Sequence, residues 1–189
     1  MLDWRWLAPL LALDLVLIGI FLALQPDVPQ LWEIDDDHSL GEIAGYAKWI
    51  AAALLLRGGG PVARAFGILF WAMLADDALK LHENTGDLLG PMIGQDAGEL
   101  AFYALLAALT LPRILRAVAG ASGAERRDGL MLFGLVALFA LFAVGIDLVH
   151  ALLDAGEWMS ALEDGGEMIA ASLIVGACAA IRRRRRRPR

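Results

Sequence analysis

The sequence predicts an all-α membrane protein that crosses the bilayer several times. Of its 189 residues, 59% are hydrophobic, compared with ~45–50% in typical soluble domains. The chain also contains at least five apolar stretches of the ~17–25 residues that a transmembrane helix needs, which is more than one soluble core could bury. We therefore expect a single transmembrane domain over residues 1–181, followed by an arginine-rich tail over residues 182–189.

The apolar stretches predict six transmembrane helices. In chain order, these cover residues 4–24, 40–56, 61–81, 97–113, 130–152 and 159–181. The first could instead be a cleaved signal peptide. Its apolar run is longer than the usual ~7–15-residue core and contains Asp14, which favours a retained helix. The only cysteine, Cys178, lies in the last stretch, so an intrachain disulfide is excluded.

The distribution of arginine predicts the orientation in the membrane. Arginines lie at the start of the first predicted helix, between the second and third, between the fourth and fifth, and after the sixth, whereas the other connections contain acidic residues and no arginine. Because Lys and Arg accumulate in short cytoplasmic loops, we expect both termini in the cytoplasm and an acidic outer face. The arginine-rich tail is expected to bind anionic lipids rather than nucleic acid.

A short repeated motif opens each even-numbered helix. Residues 41–47 read GEIAGYA, residues 98–104 read GELAFYA, and residues 166–170 read GEMIA. The glutamate of each copy precedes the next inner arginine by 14 or 15 residues, or roughly 21–23 Å along a helix. We therefore expect three repeated helical hairpins that enter from the cytoplasm, with their glutamates at one depth.

Charged residues concentrate towards the outer ends of the predicted helices. On a regular helix, Asp76, Lys80 and Glu83 would share one arc, whereas His82 would point about 240° away from Asp76. A charge at mid-helix costs at least ~2.5–3.5 kcal/mol in a membrane, so a retained charge indicates a buried role. The residues that we assign to a secondary polar layer, apart from candidate metal ligands, are Asp14, Glu42, Lys48, Asp76, Lys80, Glu83, Glu163 and Asp164.

Histidines and carboxylates in this layer predict a divalent-cation site. Carboxylates combined with one or two imidazoles suit Zn, Mn or Fe, and Asp147 and His150 would share one helix face. His82 and His150 each precede a repeated glutamate by 17 residues. A haem held by the two histidines is disfavoured because carboxylates surround them. The predicted metal ligands are Asp77, His82, Glu99, Asp147, His150 and Glu167.

Two short runs resemble motifs of a known group of proteins. Asp76-Asp77-Ala-Leu-Lys-Leu-His82-Glu83 and Leu162-Glu163-Asp164-Gly165 are similar to an Asp-Asp-x4-His-Glu run and a later Glu-Asp-Gly in small, uncharacterised bacterial multi-pass membrane proteins. The resemblance covers the third to sixth predicted helices. It implies the membrane architecture and a shared polar site but no activity, and we expect a location in the bacterial inner membrane.

Three classes of function fit the polar layer, and two of them use its acids chemically. A cation or proton transporter would use them as a permeation site, with Asp14 extending the path towards the cytoplasm; we favour this interpretation because the acids are many. A membrane-embedded metal-dependent hydrolase would use cation-bound water, with Glu167 or Asp77 as proton acceptor, on a lipid or lipid-linked substrate. The absence of a His-Glu-x-x-His motif argues against the hydrolase. Whether the protein is an enzyme stays open.

The third class is a structural membrane protein held together by an ion-pair network. In this interpretation Lys80 and Lys48 neutralise two of the inner aspartates, which are Asp76, Asp77 and Asp147. The outermost glutamates would then lie in interfacial water and cap helix N-termini, where negative charge is favoured by ~0.3–1 kcal/mol.

Overall fold

The computed structural model describes residues 2–34, 38–146, 148–149 and 157–186. The chain divides into two compact units. Unit 1 consists of Met1–Leu55 and Met131–Arg189, and unit 2 consists of Leu56–Leu130. Most of the described residues are helical, so the prediction of an all-α protein is confirmed.

Seven α-helices form in the described part of the chain. In chain order they are α1 (Trp4–Leu24), α2 (Leu40–Leu56), α3 (Pro61–Leu79), α4 (Leu81–Ile93), α5 (Gln95–Gly120), α6 (Gly123–Ala140) and α7 (Glu157–Arg186). A short 3-10 helix at Gln30–Trp32 follows α1, and α6 continues as a π-helical segment over Leu141–Ile146. Proline suits the start of α3 because its fixed φ matches the first helical turn.

Four helical segments are long and apolar enough to cross a membrane, and these are Trp4–Leu24, Gln95–Gly120, Gly123–Ile146 and Trp158–Arg186. Helix α2 has only 17 residues, or about 25 Å at 1.5 Å per residue. Helix α3 contains three charged residues, Arg64, Asp76 and Asp77. The coarser prediction of several membrane-compatible helices is therefore confirmed, whereas six crossings arranged as three hairpins stay a prediction.

In unit 1, helices α1 and α7 pack against each other in opposite directions. A methyl group on Gly176 would lie 3.1 Å from the Cβ of Leu7, and one on Gly165 would lie 2.9 Å from the Cδ1 of Ile18. The backbone N–H of Asp3 donates to the carbonyl oxygen of Gly176 at 3.0 Å. Glycines on α7 thus allow close approach of the two helices, as small residues do between membrane helices.

The C-terminal end of α7 contacts both the N-terminal end of α1 and the C-terminal end of α2. Arg183 Nη1 lies 3.3 Å from Asp3 Oδ2, and Arg182 Nη1 donates to the carbonyl oxygen of Leu54 at 3.3 Å. Helix α1 therefore runs antiparallel to both α2 and α7. The first arginines of the predicted tail belong to α7, while residues 187–189 lie outside the described residues.

In unit 2, the predicted third transmembrane helix is interrupted. Lys80 adopts a left-handed conformation, with φ 50° and ψ 48°, between α3 and α4. Only Gly94, with φ 91°, separates α4 from α5, and a methyl group on Gly98 would lie 2.8 Å from the Cα of Gly86. The helix predicted over residues 61–81 therefore ends at Leu79, and a separate helix occupies the connection expected after it.

Candidate functional site

Three charged or polar side chains meet in the interior of unit 1. Lys48 Nζ donates to Asp14 Oδ1 at 2.6 Å and to the carbonyl oxygen of Met168 at 3.0 Å. Ser172 Oγ donates to Asp14 Oδ2 at 2.5 Å. We call Asp14, Lys48, Ser172 and the Met168 carbonyl the midpoint cluster. Helices α1, α2 and α7 all contribute to it, so the cluster depends on the packing of three helices.

Each side chain of the midpoint cluster lies at the middle of its helix. Asp14 is ten residues from either end of α1, Lys48 is eight residues from either end of α2, and Ser172 lies near the centre of the 30-residue α7. Ten residues of helix measure about 15 Å, or half of the ~30 Å hydrocarbon core of a bilayer. The three residues are 0%, 2% and 0% exposed, respectively.

Apolar residues occupy the rest of the buried face of α1. The buried residues of this helix are Leu7, Asp14, Leu17 and Phe21, which fall on one side at helical spacing. Leu17 and Phe21 pack with Met168 in a shared apolar cluster. Asp14 is therefore the single polar residue on a buried helix face, and its charge is balanced by Lys48 rather than by water.

All polar groups of the midpoint cluster are hydrogen-bonded. In the described part of the chain, no buried side-chain nitrogen or oxygen atom lacks a partner. The Lys48 ammonium and the Asp14 carboxylate form an ion pair, which is the arrangement that makes buried charges tolerable. Chemically, the cluster offers a carboxylate, a hydroxyl and a carbonyl oxygen around one positive charge.

Asp14 and Lys48 both stand out in the sequence, but their pairing does not. In the ion-pair interpretation Lys48 was a partner for one of the three inner aspartates, whereas in the structure it pairs with Asp14. The available signal was position, since both residues lie at the centres of neighbouring predicted helices. Two antiparallel helices bring such residues to the same depth.

A second group of polar side chains surrounds the break between α3 and α4 in unit 2. Asp76 Oδ1 accepts a hydrogen bond from the backbone N–H of His82 at 3.0 Å. The same oxygen lies 2.9 Å from His82 Nδ1. The His82 ring stacks on Tyr103 with centroids 5.3 Å apart, and Lys80 Nζ lies 3.5 Å from Glu83 Oε2. We call these five residues the junction cluster.

The environment of His82 favours its protonated form. Burial by itself would lower the pKa of His82, but the hydrogen bond and the charge of Asp76, together with the charges of Glu83 and Glu99, outweigh burial and raise the pKa above the usual 6.5. Helix α4, which carries His82, lies outside the four segments that could cross a membrane. His82 is thus a group that can titrate under mild conditions.

The junction cluster corrects the expectation of a regular helix through residues 76–83. On such a helix Asp76 and His82 would point in different directions, yet they are hydrogen-bonded. The left-handed conformation of Lys80 turns the chain. Asp76 then accepts a hydrogen bond from the backbone N–H of His82, which lies in the first turn of α4 and has no partner within the helix. Lys80 contacts Glu83, and His82 is hydrogen-bonded to Asp76.

The predicted metal ligands are only partly described. Asp147 and His150 lie outside the described residues. Among the described residues, no group of three or more His, Cys, Asp or Glu side chains is arranged to hold a metal ion. His82 Nδ1 faces Asp76, and Glu99 Oε1 accepts from Gln95 Nε2 at 3.2 Å. The divalent-metal site with Zn, Mn or Fe therefore stays a prediction.

The remaining predicted site residues are distributed over both units. Asp77 is half-buried on α3 in unit 2. The other three are half-buried on the N-terminal half of α7 in unit 1, and these are Glu163, Asp164 and Glu167. These three residues lie close to one another on α7, as their spacing in the sequence predicts.

The first repeated glutamate has a clear structural role. Glu42 Oε2 accepts from the backbone N–H of His38 at 2.6 Å, and the N–H of Glu42 donates to Ser39 Oγ at 3.1 Å. Tyr46 donates a hydrogen bond to Glu42. Ser39 and Glu42 thus cap α2 in the manner of a capping box. The tyrosine of the second repeat, Tyr103, instead stacks on His82, so the repeats do not make equivalent contacts.

Comparison with known proteins gives one finding about family. A family model described as a domain of unknown function (DUF8692) matches residues 38–181, which include Lys48, Ser172 and the junction cluster but not Asp14. No curated protein and no solved structure matches the chain.

Proposed function

We propose a transport function, starting from the fact that this chain belongs to the DUF8692 family. In this proposal the protein is a multi-pass membrane protein that carries a cation across the bilayer, and the midpoint cluster is its binding site. The observation that carries the proposal is the buried pair of Asp14 and Lys48, held at the centres of α1 and α2.

The cost of the pair supports a functional role. Charged residues at the middle of transmembrane helices are expensive, and they commonly mark ion pathways and proton relays. Replacing a buried ion pair with well-packed apolar residues is often neutral or stabilising, so stability alone does not require one. Helix α1 offers an apolar residue at every neighbouring position on its buried face, yet a carboxylate occupies the centre.

The depth of the cluster also supports transport. In many transporters the substrate and coupling-ion sites lie near the midplane of the bilayer, between helices of different repeats. Asp14, Lys48 and Ser172 come from three helices and are buried. A cation site closed to water on both sides is what an alternating-access carrier needs in its occluded state.

A structural ion-pair network is the second candidate function. It is favoured by the completeness of the hydrogen bonding, since each buried polar side-chain atom in the described residues has a partner. The pair would then fix the register of α1 against α2 and α7. The metal-dependent hydrolase stays a third possibility, which depends on ligands outside the described residues, Asp147 and His150.

Flux through liposomes separates transport from the structural role. The purified protein is reconstituted, and inward gradients of Na⁺, K⁺, Mg²⁺ and Zn²⁺ are applied in turn while internal cation content and pH are recorded. We expect faster entry of at least one cation, or of protons, than in protein-free liposomes. The double variant Asp14→Asn/Lys48→Gln should lose this flux because both charges of the site are absent.

The matched control is Asp87→Asn. This substitution also removes a carboxylate, but Asp87 is exposed on α4, so the flux should equal that of the wild type. If wild-type protein in sealed liposomes passes neither protons nor any of the four cations, the transport proposal is wrong and the structural interpretation is favoured.

A further inference from the structure

We infer that the oxygen atoms around the Lys48 ammonium form a binding site for an alkali cation, Na⁺ or K⁺, and that Lys48 occupies this site as a tethered substitute. The inference rests on the proposed function, because it names the cargo of the midpoint cluster. It is tested separately, by binding rather than by flux, so that the two can fail independently.

The ligands present are those of a hard cation. Lys48 Nζ lies 2.6 Å from Asp14 Oδ1 and 3.0 Å from the carbonyl oxygen of Met168. Ser172 Oγ donates its O–H to Asp14 Oδ2 at 2.5 Å and keeps both of its lone pairs as acceptors. Carboxylate, hydroxyl and carbonyl oxygens bind hard cations, and backbone carbonyls contribute to Na⁺ sites in transporters. Sulfur and imidazole ligands, which transition metals prefer, are not part of this cluster.

The charge of the site selects a monovalent cation. Asp14 is the one carboxylate of the midpoint cluster, and it pairs with one ammonium. A monovalent ion in place of the ammonium leaves the buried charge balanced, whereas a divalent ion adds an uncompensated positive charge inside an apolar region. Lys48 and the cargo ion therefore exclude each other from the same oxygens.

The lysine side chain is suited to leave and return. Its ammonium is a point charge on a flexible four-carbon stem, unlike the planar guanidinium of arginine. Lys48 extends from the centre of α2, whereas the cation ligands belong to α1 and α7. Withdrawal of the lysine thus vacates the site without removing any ligand, and its return expels the bound ion.

Removal of Lys48 tests the site directly. In Lys48→Gln the Asp14 charge loses its ammonium and needs another cation. At pH 8, the unfolding temperature of this variant in detergent should rise when choline chloride is replaced by NaCl or KCl. Above half-saturation, each tenfold increase in the ion should add roughly 3–6 °C. Wild type should show a much smaller shift, because the ion has to displace the Lys48 ammonium, and Asp14→Asn/Lys48→Gln should show none, because its site is uncharged.

The wild-type protein provides a second measurement that does not depend on a variant that folds. The chain has two lysines, Lys48 and Lys80, and Lys48 is 2% exposed. A small amine-reactive reagent should label Lys48 several-fold faster in NaCl or KCl than in choline chloride, because the ion displaces its ammonium. Lys80, with 34% of its side chain exposed, is the internal control and should react at one rate in all salts.

Each result has a definite meaning. The inference is overturned if the unfolding temperature of Lys48→Gln is the same with and without Na⁺ or K⁺ and the labelling rate of Lys48 is the same in all salts. A shift with Mg²⁺ but not with alkali ions would contradict the proposed cargo class. Alkali-dependent shifts without flux in liposomes would keep the cation site and refute the transport function instead. Flux without any alkali dependence of Lys48 would keep transport and refute this site.

Discussion

At the scale of single residues, Asp14 and Lys48 each offset the free-energy cost of burying the charge of the other. Breaking a buried ion pair by removing one partner is strongly destabilising, whereas removing both charges is often mild. In unit 1 this asymmetry is sharpened by complete burial, because neither side chain has water to replace its partner. The Ser172 hydroxyl and the Met168 carbonyl remain to hydrogen-bond amide side chains at both positions.

We therefore predict non-additive effects of substitutions in the pair. In choline chloride, Asp14→Asn and Lys48→Gln should each lower the free energy of unfolding by about 3–5 kcal/mol, because one charge stays buried without its partner. Asp14→Asn/Lys48→Gln should lose less than the sum. Denaturant unfolding of the four proteins in detergent measures the coupling, and strictly additive losses would show that the two charges do not interact.

A pH-dependent stability is predicted for His82. Asp76 raises the pKa of His82 above its usual 6.5, so protonated His82 stabilises the folded state. This contribution should be fully present below pH ~6.5, the value in the unfolded chain, and should disappear as the pH rises through the raised pKa. His82→Asn should therefore cost about 1–2 kcal/mol at pH 6 and less at higher pH.

The exposed histidine of the α2 cap provides the control. His38 is exposed, and its backbone N–H donates to Glu42. Because His38 is exposed, His38→Asn should destabilise the protein less than His82→Asn does at pH 6. A difference between wild type and His82→Asn that grows from pH 6 to pH 9 would have the wrong sign and would contradict the ion pair with Asp76.

Sequence reasoning could identify these residues but not their partners. Charged residues within apolar stretches stand out, so Asp14, Lys48, Asp76 and His82 were all predicted to belong to polar sites. Which side chains meet depends on how each helix is rotated about its axis. Helix α1 is apolar on nearly every side, so its sequence carries no periodic signal for the face that packs against its neighbours.

At the scale of secondary-structure elements, the break between α3 and α4 determines the junction cluster. A lysine in the left-handed region is unfavourable compared with glycine, since its Cβ crowds the backbone there. Residues 76–83 contain neither proline nor glycine, so the sequence alone showed no sign of a break. The break is compensated by the cap that Asp76 supplies to α4, which only the folded chain reveals.

Substitutions at Lys80 distinguish a break from a continuous helix. With φ 50°, Lys80→Gly should unfold at a higher denaturant concentration than Lys80→Ala, by about 1 kcal/mol in free energy, because glycine adopts positive φ without strain. In a continuous helix the order would reverse, since glycine costs about 1 kcal/mol relative to alanine. Both variants remove the contact with Glu83, so their comparison cancels that loss.

At the scale of the whole molecule, the sequence predicted the fold class and six crossings, and four helical segments of the structure are long and apolar enough to cross a membrane. Composition and apolar length identify α1, α5, α6 and α7 as helices that could span a membrane. The shorter α2 and the charged α3 are predicted crossings that do not belong to these four segments. Their status depends on whether neighbouring helices shield their charges, as Asp14 does for Lys48, and sequence hydropathy does not include such pairing.

The connection between α2 and α3 decides the topology. Six crossings put residue 59 in the cytoplasm, beside the arginines Arg57 and Arg64, whereas four crossings that omit α2 and α3 put it outside. We predict that Gly59→Cys in a Cys178→Ser background reacts with an impermeant thiol reagent only after the cells are opened. Labelling of intact cells would contradict the six-crossing topology. The Cys178→Ser protein alone controls for background labelling.

The central claim is that the midpoint cluster binds the transported cation, and the most direct test is the concentration dependence of flux in Ser172→Ala. Ser172 Oγ contacts Asp14 and provides a ligand, so its loss should raise the half-saturating cation concentration several-fold. Ser160, also buried on α7, is the matched control, and Ser160→Ala should behave as wild type. Equal half-saturating concentrations in wild type, Ser172→Ala and Ser160→Ala would contradict the claim.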